Sequence, residues 1–329
     1  MTEFFEGKRV LVTGGTGFVG RHYVDELIKR GAMVRVPVHL RECCSETGKV
    51  EFVGADLRDI DDCRRVCEGA DYVVHAAGAV AAAGVTSSNP MSAITTNLVL
   101  STQMLEAAWD EGVERFLIFG SSTGYPVSDK PVKEDDMWSG DTHASYFGYG
   151  WMRRYLERIS EFVASKTDMG IALIRPTATY GRFDNFDPVT SHVIPALIRR
   201  ALEHAGGPFE VWGTGAEVRD FLHVKDLVRG SLLVLEKHAV CDPVNIGYGK
   251  TILISELVDE VLCATGRKDL EVKFDPSRPT AIPIRTVDTS KAKTLFGFEP
   301  AISLKEGIAD TVQWYRDESS KRNILGVQL

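Results

Sequence analysis

The sequence predicts a doubly wound α/β fold, a parallel sheet wrapped by helices, with a smaller C-terminal portion interleaved with it. Three observations carry this expectation. Short β-branched runs alternate with longer helical patterns through the first half, the rhythm of βαβ units. A glycine-rich stretch, Thr13-Gly14-Gly15-Thr16-Gly17-Phe18-Val19-Gly20, falls between the first strand and the first helix. After Pro176 the texture changes, and Gly and Pro spread through shorter elements such as Gly206-Gly207-Pro208 and Trp212-Gly213-Thr214-Gly215.

The elements follow in order. A strand over Arg9–Thr13 leads into a helix over 18–30, which Gly31 stops because glycine readily takes the backbone angles of a helix C-terminus. A strand over Met33–Val38 comes next, then a third strand before Asp56 and a helix over 60–68. Tyr72–His75 is a strand, 92–111 a helix, 116–119 a strand, 146–165 a helix and 171–175 a strand. Later helices are expected over 224–236 and Ile254–Thr265, both able to return to the first sheet. Ser303-Leu304-Lys305-Glu306 reads as a capping box opening a last helix through Trp314 and Tyr315. The division expected is 1–180, with returning segments near 223–265, as a dinucleotide-binding domain, and 181–222 with 266–329 as a substrate-binding domain.

Composition narrows the function. Of 329 residues, 44% are apolar and 26% charged, which excludes disorder and collagen. The net charge is −8, and 38 Lys and Arg are scattered among 46 Asp and Glu, so no basic stripe advertises nucleic acid. No apolar run approaches the roughly 20 residues of a membrane span, and the start lacks the pattern of a signal peptide. The expected location is the cytoplasm. Six cysteines without C-x-x-C spacing read as reduced thiols, and the eight histidines form no zinc pattern, so no metal is expected.

A pyrophosphate needs backbone N–H groups at a helix N-terminus and glycines that allow close approach. Gly14, Gly17 and Gly20, with Thr16, Phe18 and Val19 between them, meet that need and point to a dinucleotide. NAD sites usually place a carboxylate at the end of the second strand. Here that segment reads Val36-Pro37-Val38-His39-Leu40-Arg41, which favours NADP over NAD, with His39 or Arg41 meeting a 2′-phosphate. Asp56-Leu57 follow the third strand, where they can reach an adenine. Hydride transfer at a carbinol carbon also needs an acid/base. A tyrosine serves once a fixed cation favours its phenolate, and a cation four positions on lies on the same helix face. Tyr149 has Arg153 there, whereas Tyr146 has Gly150.

These residues, with His75-Ala76-Ala77, Asn97, Ser121-Ser122-Thr123-Gly124-Tyr125-Pro126, Arg175-Pro176 and Arg219-Asp220-Phe221, fall in an order that resembles the extended short-chain dehydrogenase/reductase family over nearly the whole chain. The resemblance implies a Rossmann sheet and a homodimer built on the helices over 92–111 and 146–165. It implies that Ala76, Ala77, Asn97, Tyr149 and Arg153 line the cofactor, and that Ser121 holds the reacting oxygen beside Tyr149. The chain departs from the family in having Arg153 for Lys and Ala178 for Asn.

The stretch from Tyr180 to Ile198, and Val211-Trp212-Gly213-Thr214-Gly215, look most like the GDP-L-fucose synthase branch. That branch uses a Cys and a His to epimerise a 4-keto sugar before reducing it. His192 matches the His, or is a substrate contact or a satisfied helix-start residue. Thr123 stands at the Cys position, and a hydroxyl ionises far too weakly to replace a thiolate. The 4,6-dehydratase carboxylates are absent at Ser122 and Thr123. The expectation is therefore reduction of a GDP-linked 4-keto sugar at C4 without C3/C5 epimerisation. Asn185, Val193, Trp212, Arg219 and Arg278 are the expected substrate contacts, with the two arginines gripping the diphosphate. The alternatives are a 4-epimerase with retained NAD and a non-catalytic dinucleotide-binding sensor or assembly subunit.

Overall fold

The computed structural model describes residues 4–39, 49–79, 91–278 and 282–325. In chain order come β1 (Arg9–Thr13), α1 (Phe18–Lys29), β2 (Met33–Val38), β3 (Val50–Gly54), α2 (Ile60–Cys67), β4 (Tyr72–His75), α3 (Ser92–Asp110), β5 (Arg115–Phe119), α4 (Phe147–Lys166) and β6 (Gly170–Pro176). The rest is built from shorter pieces: β7 (Ala178–Tyr180), α5 (Val193–Leu202), β8 (Phe209–Trp212), β9 (Val218–Arg219), β10 (Phe221–His223), α6 (Val224–Lys237) and β11 (Val244–Ile246). It closes with β12 (Ile252–Leu253), α7 (Ile254–Thr265), β13 (Val272–Asp275), β14 (Ile284–Arg285), α8 (Ser290–Phe296) and α9 (Leu304–Leu325).

Seven strands form one sheet in the order β11-β6-β5-β4-β1-β2-β3, with every neighbouring pair parallel. The order reverses between β1 and β4, and in such sheets ligands bind in the crevice at the carboxyl ends of those strands. Side chains alternate across the sheet. Val10 and Val12 of β1 enter a core shared with Tyr23 and Leu27 of α1 and Leu227 and Leu232 of α6. Leu11 enters the opposite core, with Cys63 and Val66 of α2, Met104 of α3 and Phe116 of β5. A third core belongs to the second half: Tyr180, Ile194, Leu197, Phe209, Phe221 and Ile308.

Two expectations about the division of the chain are corrected by this packing. Helix α7 does not return to the main sheet; Leu257, Val258 and Val261 pack in the third core. Conversely, Ala292 and Phe298, from the segment assigned to the second portion, pack in the first core beside α6. In both cases the apolar face of a short helix found its partner through tertiary contacts that periodicity does not encode. Cys63 and Cys67 are free, buried thiols, each pushed up to about 12 by burial, while Cys43 and Cys44 lie outside the described residues. Among the described residues no helix is long and apolar enough to cross a membrane, and no His, Cys, Asp or Glu cluster could hold a metal.

Candidate active site

The crevice between β1 and β4 is shaped by backbone contact. Gly14 has φ of +67°, and a Cβ there would meet the Ala77 backbone at 2.9 Å; one on Gly20 would lie 2.0 Å from the Gly14 carbonyl oxygen. Glycine is the residue that permits both approaches. The N–H of Gly17 donates to the Gly14 carbonyl at 2.8 Å, and α1 begins at Phe18 with no side-chain cap and no acidic residue in its first turn. Its N-terminus is thus a cradle of backbone donors with a favourable dipole for a phosphate. Thr16 turns its carbonyl to Arg21 Nε at 3.0 Å, and Val19 packs against the first core.

Across the crevice, Thr13 Oγ1 lies 2.9 Å from His75 Nδ1 and accepts the Ala77 N–H at 3.0 Å, so the ends of β1 and β4 are tied together and Ala76 and Ala77 stand beside Gly14. His75 is fully buried and pushed down to about 3 by that burial, with the Arg153 charge adding to it. The Asn97 amide is committed to protein: it donates to the Ala79 and Ala93 carbonyls at 2.8 and 2.7 Å and accepts the Ala79 N–H. Asn97, expected as a cofactor contact, thus holds the backbone at Ala79, just past the end of β4. The Leu57 side chain is buried in the second core.

At the far end of the crevice Asp56 is chelated by Arg58, with bonds from 2.6 to 3.1 Å, and that bonding holds its carboxyl well below the usual range. His39 Nε2 is 3.5 Å from the same carboxylate. A carboxylate therefore does stand beside the end of β2, supplied by the segment after β3 and already neutralised. Arg41 lies outside the described residues.

Tyr149 and Arg153, the pair expected to supply the acid/base, meet at the carboxyl end of β5. Arg153 donates to the Tyr149 phenol from Nε at 3.2 Å and from an amino nitrogen at 2.7 Å, and a third bond, 3.1 Å to the Phe119 carbonyl, pins the guanidinium to β5. Ser121 caps the turn after that strand and shares a 2.8 Å hydrogen bond with Thr123. Helix α4 abuts this turn because residue 150 is glycine: a Cβ there would lie 2.7 Å from the Thr123 carbonyl. A buried network fixes the frame, in which Arg175 holds both Glu157 oxygens (2.9 and 2.6 Å) and the Tyr125 phenol, and Tyr125 donates to Asn245 of β11.

Beside Ser122 and Thr123 a cleft opens, walled by Tyr146, Ile284 and Arg285. Arg285 is the register partner of Arg219 on the parallel pair β14 and β9, so the two guanidinium groups belong to one face. Arg219 is buried and pushed down to about 10, first by burial and then by the Arg285 charge. Among the described residues its hydrogen bonds go only to the Val218 and Pro283 carbonyls. The expected partner Arg278 lies over the exposed Trp212 ring, 5.6 Å from its centroid, with its Nε 3.6 Å from the Asp275 carboxylate. Arg285, which sequence reasoning missed, meets Tyr146, weighed there only as the rival to Tyr149; the two converge from 139 positions apart, and no local pattern signals that meeting.

His192 stands half-exposed at the N-cap position of α5 without a side-chain cap bond, its Nδ1 3.8 Å from the Asp184 carboxylate. Burial pushes the Asp184 carboxyl up, with His192 opposing, and Oδ2 has no hydrogen-bond partner among the described residues. Asn185 is exposed and locked in the same loop by Thr190 and by the Asp187 N–H, while Val193, at the first turn of α5, is partly exposed.

Fold and glycine cradle together define a dinucleotide-binding α/β enzyme. The chain belongs to the NAD dependent epimerase/dehydratase family, whose model matches residues 10–247. It is 31% identical over 320 residues to a dTDP-4-dehydro-6-deoxy-D-allose reductase of Streptomyces sp, covering 94% of this chain and 97% of that one. It is 33% identical to a probable GDP-L-fucose synthase of Oryza sativa subsp. japonica, covering 94% and 92%. Among solved structures, the UDP-glucose 4-epimerase of Thermotoga maritima with UDP-glucose superposes with a TM-score of 0.83 at 28% identity, covering 94% and 99%.

Proposed function

We propose that the protein reduces the 4-keto group of a nucleotide-linked sugar, leaving the neighbouring ring carbons unchanged. The observation that carries this reading is the Tyr149 phenol held by two N–H donors of Arg153 at the carboxyl end of β5. A nicotinamide dinucleotide bound on the Gly14–Gly20 cradle supplies the hydride. Tyr149 delivers the proton to the carbonyl oxygen, the Arg153 cation stabilises the phenolate left behind, and Ser121 holds that oxygen in place. The Thr123 hydroxyl is engaged by Ser121 and provides no thiolate for proton abstraction at C3 or C5.

NADP is the dinucleotide favoured here, because Asp56 is already paired with Arg58 and His39 stands next to them. Arg219 and Arg285 are read as the diphosphate grip, with the base toward Val193 and Trp212 and guanine preferred. His192, backed by Asp184, and Asn185 are read as sugar contacts, and Arg278 as the brace of Trp212. A homodimer is proposed from the exposed Phe147, Trp151 and Tyr155, spaced four apart on α4. The proposed compartment is the cytoplasm.

The test is incubation of the purified protein with GDP-, dTDP-, UDP- and CDP-linked 4-keto sugars in D2O, following NADPH and NADH absorbance. NADPH oxidation with the GDP sugar, and no deuterium at C3 or C5, is expected. Turnover with none of the four sugars overturns the reading. A retained, non-exchanging NAD with interconversion of C4 epimers would select the 4-epimerase instead.

A further inference from the structure

The cleft beside Ser122 and Thr123 joins the two halves of the chain at one pair of residues. Arg285 donates to the Tyr146 phenol at 2.9 Å and lies over the same ring, 5.3 Å from its centroid. Tyr146 immediately precedes α4, three residues before Tyr149. Its phenol accepts from Arg285, and among the described residues its own O–H is given to no partner. Behind Arg285, Arg219 is 9% exposed. Among the described residues, neither guanidinium forms a salt bridge to a carboxylate. Two unneutralised cations side by side repel each other, and an anion with several acceptor oxygens removes that cost.

We propose that Tyr146 is a diphosphate ligand, donating its phenolic O–H to a phosphoryl oxygen that Arg285 also holds. This rests on the nucleotide-sugar reading above. The phenol and the guanidinium are already in contact, so both donors converge on one point without rearranging either backbone. Because Tyr146 leads directly into α4, the same contact registers the diphosphate against the helix that carries the acid/base.

The test is calorimetric titration of GDP and GMP into the wild type and into Tyr146→Phe, with NADPH binding as the control for folding. A hydrogen bond to a charged acceptor is worth roughly a tenfold change in affinity. The expected result is GDP binding weakened about tenfold by Tyr146→Phe, GMP binding weakened by no more than about twofold, and NADPH binding unchanged. GDP binding that is unchanged, or tightened because Arg285 has been released, overturns the proposal and leaves Tyr146 as a simple clasp. Tyr146→Gln, which restores an N–H donor, is expected to recover part of the lost affinity; no recovery counts against donation. If the wild type itself binds no nucleoside diphosphate, the nucleotide-sugar reading fails and the proposal falls with it; a loss confined to Tyr146→Phe or its absence bears on Tyr146 alone.

Discussion

Arg153 reaches Tyr149 with two donors and the Phe119 carbonyl with a third, so one side chain fixes the phenol to the strand that leads into the Ser121 turn. A lysine has the charge for this arrangement but lacks the planar fork.

Tyr149→Phe is expected to lower kcat at least about 100-fold, the lower range for loss of a positioned acid/base, while NADPH binding measured by fluorescence persists. Arg153→Lys is expected to stay within about tenfold of wild type, and Arg153→Met to fall with Tyr149→Phe. Wild-type kcat in Tyr149→Phe would show that another group moves the proton.

Gly20→Ala places a methyl 2.0 Å from the Gly14 carbonyl oxygen, and backbone must move to admit it. Overpacking of this kind costs about 1–3 kcal/mol. A fall of several degrees in thermal midpoint and a loss of at least about tenfold in dinucleotide affinity are expected, read by scanning fluorimetry with and without NADPH.

Glu157 and Arg175 are an almost wholly buried pair. Removing one partner strands the other charge, so Glu157→Gln is expected to cost about 3–5 kcal/mol in urea unfolding. Glu157→Leu combined with Arg175→Met should recover much of that loss, and if it does not, the Arg175 contacts with Tyr125 and Glu134 carry the difference.

His75, held neutral with a pKa of about 3 against 6.5 when unfolded, makes stability depend on pH. Below pH 6.5 the unfolded chain takes up a proton that the folded one refuses. Stability is therefore complete above that pH and is lost as pH falls toward 3, by up to about 1.4 kcal/mol per pH unit. His223, pushed down to about 4 by burial, adds in the same direction. Urea midpoints from pH 7 to pH 4.5 should fall more steeply in the wild type than in His75→Gln.

Much of this was legible in the sequence where a period is long enough to read. The bounds of β1, β2, β4 and α7 match the expected ones, and the capping box opens α9 with Ser303 bonded to Glu306 as anticipated. The two- to four-residue strands β7 to β14 are too short to show alternation, and they hold their shape through partners far along the chain. The same reason hid Arg285. Its side-chain role depends on register with β9, whereas Tyr149 and Arg153 sit on one helix and announce each other by spacing.

The repeated crossing between cores has a consequence for dissection of the gene product. A fragment ending near residue 180 would leave β6 as a bare edge, stripped of β11, and would uncover the apolar side that α6 and Phe298 shield. Such a piece is expected to aggregate rather than bind dinucleotide, so nucleotide capture and sugar chemistry are inherited, lost and engineered as a unit.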